Sequence, residues 1–239
     1  MKKRNKAKPG FNGLPYVIYK KCMAIIHLIH KIFINIWNSR DIPHCWGIAI
    51  MILLGKSDIS DLPSEFRPIA LGSTCGKIFF TGLFNRLHDY FINNNYIQRN
   101  IQKGFMKWVC GCLDHTFSLW ETLKHAKHNK RSIVTSWIDL KNAYGSVSHN
   151  LIQYILSWYH VPIIIQEIIH NYYNVLCAKV ITKDWSTSLF SYDIGVFQGC
   201  PLSAILFNIV FNHLLDFLQP LSHLAYTFTT ISPSHTHTH

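Results

Sequence analysis

The 239-residue chain is 49% hydrophobic and 14% aromatic, enough to bury the core of one large domain or two small ones, which excludes a wholly disordered polypeptide. Its 23 Lys and Arg against 12 Asp and Glu give a net charge of +11, a balance that suits a polyanion such as nucleic acid and also a plain basic soluble protein. Seven cysteines (Cys22, Cys45, Cys75, Cys110, Cys112, Cys177, Cys200) without C-x-x-C spacing argue against a disulfide framework and a zinc finger, and they fit a reducing intracellular compartment.

In chain order, the basic residues Lys2, Lys3, Arg4, Lys6 and Lys8 come first, without the apolar run of a secretory signal behind them. Pro9-Gly10 through Pro15 is turn-rich, and Tyr16 to Trp37 then carries polar residues at helical intervals, predicting a helix. Ile48 to Leu54 reads as a short buried strand and Gly55 to Pro63 as a polar loop leading into Phe66 to Leu71, FRPIAL. Pro68 holds Arg67 extended, as suits an arginine projecting from a strand or loop. The run from Trp46 to Leu54 is too short to cross a bilayer, and no membrane span is expected.

Gly76 to Asn93 predicts an amphipathic helix, with Ile78, Leu83, Leu87 and Phe91 on one side and Arg86 and Asp89 on the other. Leu113 to Ala126 predicts a second. The β-rich run Ile133 to Ile138 ends at Asp139, and a helical pattern over Leu151 to Trp158 follows, so Asp139 is expected at the C-terminal edge of a strand. Val175 to Thr182 and Leu189 to Val196 predict a hairpin turning over Lys183 to Ser188. Pro201 and Ser203 open a helix whose apolar residues Leu202, Ile205, Leu206, Ile209, Val210, Leu214 and Phe217 recur at helical spacing, predicting a buried helix. From Ser232 the His-Thr alternation is what a CA-repeat microsatellite encodes, the alternative being a metal-binding tract. The His27/His30 and His125/His128 pairs have no nearby ligands to complete a structural zinc site.

An aspartate at a strand end often does no more than cap a helix. The wider string DLKNAYGSVSH, Asp139 to His149, however, resembles motif A of reverse transcriptases. The resemblance implies that Asp139 is catalytic and binds metal, that Leu140 borders the nucleotide, and that Tyr144 excludes a 2′-hydroxyl by its bulk. The family's commoner form carries a second Asp at the place of Gly145. FQGCPLSAILFN, Phe197 to Asn208, resembles motif B, implying that Gln198 contacts the nucleotide and that Gly199 admits a close backbone approach. LLGKSDISDLPSEFRPIALGSTCGKIF resembles the fingers segment, with Lys56 and Arg67 as triphosphate ligands; an arginine suits phosphate because its planar fork donates two parallel hydrogen bonds. QKGFMKWVCGCLDH, Gln102 to His115, is similar to the second fingers motif, with Gly104 and Phe105 positioning the template, and KPGFNGLPYVIYK is similar to the family's opening segment.

Five such strings in order identify the chain with a LINE-type, non-LTR retrotransposon reverse transcriptase. The resemblance implies an α+β right-hand polymerase fold without a thumb: a basic tail at 1–7, a partial domain at 8–231 with fingers over 8–132 and an antiparallel palm sheet backed by helices over 133–224, and a divergent tail at 225–239. It further implies magnesium as cofactor, and an RNA template, a DNA primer and deoxynucleotide triphosphates as partners, in nucleus or cytoplasm. The family's Asp-Asp box has no counterpart, since Asp216 is the one acidic residue after Gln198. The expectation is therefore a chain cut off before that box and inactive alone, or else a non-catalytic remnant that binds nucleic acid.

Overall fold

The computed structural model describes residues 9–58, 62–106, 108–109 and 111–228. The basic tail 1–7 and the His-Thr tract fall outside these residues.

Helix α1 (Tyr16–Lys21) and α2 (Met23–Ser39) occupy the region read as one helix; the helix is interrupted at Cys22, whose backbone is extended. Arg40 closes α2 in the left-handed conformation, its N–H donating to the Ile36 carbonyl. A short helix α3 (His44–Gly47) leads into strand β1 (Ile48–Gly55), and β2 (Phe66–Leu71) returns antiparallel to it, with Met51 opposite Ala70. Helix α4 (Thr74–Asn93) starts at Ser73, whose hydroxyl accepts from the Gly76 N–H, and it buries Phe79, Phe80, Leu83, Leu87 and Phe91. Arg86 and Asp89 face outward as the periodicity predicts.

Helix α5 (Cys112–His128) forms as expected, but only Ala126 on it is buried, and Leu113, Phe117 and Trp120 stay exposed. Helices α6 (His149–Trp158) and α7 (Ile163–Asn174) pack together through Ile152, Ile155, Ile168 and Ile169. Strands β3 (Cys177–Val180) and β4 (Phe190–Ser191) make the expected hairpin in shortened form. Helix α8 (Pro201–Leu218) packs on α4 and α6 through Leu202, Ile205, Leu206 and Ile209, all without solvent exposure.

The sheet runs β2-β1-β3-β4, and it is mixed where an antiparallel one was expected: β1 and β3 are parallel, with Ala49 beside Ala178. Small residues at Ala49, Ala70 and Ala178 let the helices close on the sheet. Aromatic rings fill part of the core: Phe33, Trp46, Phe79, Phe80 and Tyr172 form one cluster of edge-to-face and tilted pairs, and Phe91, Tyr96 and Tyr159 another.

Two further expectations need correction. The run Ile133 to Ile138 is not a strand, and Val134 and Trp137 are 92% and 83% exposed. β-propensity reports fit to a pleated, half-buried surface, and among the described residues no strand lies alongside to pair with this run. The second concerns α8, whose buried residues end at Asn212; Phe217 is 75% exposed. Together with the 3₁₀ turn at Gln219–Leu224, α8 is long and apolar enough to cross a membrane, with a mean hydropathy of 1.5. Its inward face instead carries Asn208 and Asn212, both buried and hydrogen-bonded inside the protein, as in a core helix.

Candidate functional site

The residues singled out along the sequence meet in one open cleft of about 1060 Å³. Lys56, Arg67, Phe105, Asp139, Leu140, Tyr144, Gln198 and Gly199 all line it. Gly104 is held next to it, since its carbonyl accepts a 2.7 Å hydrogen bond from Asn208 Nδ2 on α8.

Each wall is fixed by backbone contacts far apart in sequence. Strand β2 presents Arg67 beside Pro68 and Ile69, and the Ala70 N–H donates to the Gln198 carbonyl at 2.7 Å. Gly199 has φ +125°, and a Cβ there would stand 2.5 Å from the Ala70 carbonyl oxygen. Glycine at this position thus permits a close approach to strand β2. The turn after Asp139 ends in a 3₁₀ turn at Tyr144–Ser146. The Val196 N–H donates to the Tyr144 carbonyl and the Gly195 N–H to that of Val147, both at 2.8 Å. These bonds tie the Asp139 loop to the Gln198-Gly199 pair.

Asp139 sits in an exposed loop, without the strand end expected for it, yet it still faces the cleft. Lys56 donates from Nζ to the Ser64 carbonyl at 2.7 Å, and both Lys56 and Arg67 are exposed. At Gly145 a Cβ would collide with the side chain of Asn142, itself a cleft residue, so asparagine fills the space beside that position. Tyr144 is half-buried, and burial pushes its phenol up to about 12, keeping it neutral at physiological pH. Burial also pushes the Cys200 thiol up, so this cleft cysteine stays protonated.

Sequence reasoning missed Asn142, Asn208 and Asn212. Asn208 carries the Gly104 loop, and Asn212 donates to the Tyr96 carbonyl and the Tyr159 hydroxyl. The available signal was two asparagines four residues apart within the apolar run of α8, a spacing that puts both on one face.

Behind the cleft wall, His149 at the start of α6 pairs through Nε2 with the Gly195 carbonyl at 2.8 Å and lies against Tyr173. Burial lowers its pKa below 6.5, although the Gly195 carbonyl and Asp193 pull the other way. The unfolded chain therefore takes up this proton first as pH falls. The stabilisation is complete above the unfolded value and is lost as pH drops from there to the folded value. His149→Gln should flatten the pH dependence of the denaturant midpoint below pH 6.5, and an unchanged acid slope would contradict it.

Two divalent ions side by side repel one another and need several carboxylates between them. Among the described residues Asp139 is the one carboxylate lining the cleft, and no three His, Cys, Asp or Glu side chains gather. The described residues do not fit such an ion pair.

A family model described as reverse transcriptase (RNA-dependent DNA polymerase) matches residues 54–227. The retrovirus-related Pol polyprotein from type-2 retrotransposable element R2DM of Drosophila melanogaster is 30% identical over 175 residues, 73% of this chain and 16% of that protein. Its counterpart from type-1 retrotransposable element R2 of Nasonia vitripennis is 25% identical over 80% of the chain and 18% of that protein. The transposon TX1 uncharacterized 149 kDa protein of Xenopus laevis is 24% identical over 88% of the chain and 16% of that protein. The chain thus spans less than a fifth of the length of these curated relatives.

Proposed function

The chain belongs to the reverse transcriptase (RNA-dependent DNA polymerase) family, as a domain of a LINE-type retrotransposon, and from that premise we propose that its cleft receives a deoxynucleoside triphosphate opposite a template base. Lys56 and Arg67 take the triphosphate. Tyr144 lies beneath the sugar and Leu140 borders it, while Gln198 and Gly199 meet the base. Gly104 and Phe105 steer the template, and Asp139 faces the reacting end of the primer. Residues 8–132 serve as fingers and 133–224 as palm, acting on an RNA template and a DNA primer inside the cell. One observation carries the reading: side chains from Lys56 to Gln198, far apart in sequence, open onto a single cleft.

Magnesium belongs to this reading through the family alone. With Asp139 as the single cleft carboxylate among the described residues, the chain acting alone does not extend a primer. A second reading, a non-catalytic module that grips nucleic acid through its +11 charge, draws on the same carboxylate count.

Two measurements on the purified chain test these statements. Titration with dATP on an annealed RNA-template and DNA-primer pair should give saturable binding, and Arg67→Ala should weaken it roughly 10- to 100-fold, the scale of charge-assisted hydrogen bonds. Equal affinity in wild type and variant would remove Arg67 from the triphosphate site. Salt-sensitive hybrid binding with no dATP binding would favour the second reading. Primer extension with magnesium should yield no product, and extension abolished by Asp139→Ala would refute the predicted inactivity.

A further inference from the structure

Tyr144 does not stand alone at the cleft wall. Its ring is stacked on that of Phe207 from α8, with centroids 5.1 Å apart and planes 12° from parallel. Phe207 continues the stack to Phe211 one turn further along α8, at 6.0 Å and 12°. On its cleft side Tyr144 meets the ring of Phe105 edge-on at 6.4 Å.

A second cavity of about 210 Å³ lies beyond the stack, lined by Leu140, Ala143, Val147, Phe207 and Phe211 among others. Tyr144 lines the cleft and not this cavity, whereas Phe207 lines the cavity and not the cleft. Phe207 therefore borders both the tyrosine ring and this second cavity, so that removing its ring would open space directly beside Tyr144. Steric exclusion discriminates only when the excluding group cannot retreat, because a ring free to move back accommodates the extra oxygen.

We infer that Phe207 is a specificity-positioning residue, a backstop that sets how far the Tyr144 ring projects into the cleft and hence how strictly a 2′-hydroxyl is refused. The inference rests on the proposed nucleotide site and goes beyond it, for Phe207 does not line the cleft and acts through Tyr144. The backbone of Tyr144 is held separately by the Val196 N–H, so losing the backstop frees the ring without releasing the turn.

The test is the ratio of dATP to ATP affinity on the annealed RNA-template and DNA-primer pair, measured by calorimetric titration with the full chain. Wild type should prefer dATP. Phe207→Ala should reduce that preference about tenfold, the scale of one aromatic pair, while changing dATP affinity itself little. Phe207→Tyr keeps the ring and should keep the ratio. Phe207→Leu, which fills the volume without the planar stack, should lower the ratio even if the alanine variant fails to fold. A merely structural role would shift both affinities together and leave the ratio alone. A ratio unchanged in Phe207→Leu while Tyr144→Ala abolishes it would overturn the backstop and leave the nucleotide site standing. A wild type that binds dATP and ATP equally, or binds neither, would overturn the reading of Tyr144 and the backstop with it.

Discussion

Gly199→Ala is expected to lower stability by about 3 kcal/mol or more and to abolish dATP binding, because two independent costs fall on one residue. At φ +125° a side chain is strained wherever the neighbours lie, and the new methyl carbon would sit 2.5 Å from the Ala70 carbonyl oxygen. That obstacle is backbone in the paired strand β2, so it cannot swing aside as a flexible side chain would. Relief requires moving the Gln198-Gly199 segment off the sheet, which breaks the 2.7 Å bond from the Ala70 N–H to the Gln198 carbonyl. Arg67, three residues before Ala70 on the same strand, would then lose its register with Gln198. Denaturant unfolding and dATP titration check this together. A stability within about 0.5 kcal/mol of wild type would show that the segment has room the geometry denies it.

On α8 two aspartate substitutions should behave in opposite ways. Leu206→Asp places a carboxylate at a position with no solvent exposure, and a loss of about 4 kcal/mol or outright unfolding is expected. Phe217→Asp adds the same charge where the ring is 75% exposed, and the change should stay within about 0.5 kcal/mol. The contrast also separates a core helix from a membrane span over Pro201–Leu224, since in lipid a charge at either position would be costly. Circular dichroism melts of the two variants in aqueous buffer decide it; comparable losses would contradict the core assignment.

Most of the local structure was legible because it rests on local signals. The 3.6-residue spacing of Leu83, Leu87 and Phe91 marks α4, and Pro201 ahead of an apolar repeat marks α8. Polar residues between two β-rich runs mark the β3–β4 hairpin. The cleft residues were legible for a different reason. Lys56, Arg67, Asp139, Tyr144 and Gln198 are chemical types in strings that resemble a family, and a string does not depend on knowing which elements touch.

Whatever depended on a neighbour from elsewhere in the chain was decided by the tertiary structure alone. The composition of Ile133 to Ile138 is as β-favourable as that of β1, yet β1 lies between β2 and β3 while Ile133 to Ile138 has no adjacent strand among the described residues. A strand's backbone groups are satisfied only by a second strand, and no property of the segment itself records whether one is present. The same holds for the parallel pairing of β1 with β3 and for Gly199, whose need for glycine comes from a carbonyl on β2. It holds also for Phe207, which reads in sequence as one more apolar residue of a helix and acquires a role only because Tyr144 lies flat against it. Side-chain chemistry and periodicity are written residue by residue, whereas pairing, stacking and close approach are properties of two distant residues at once.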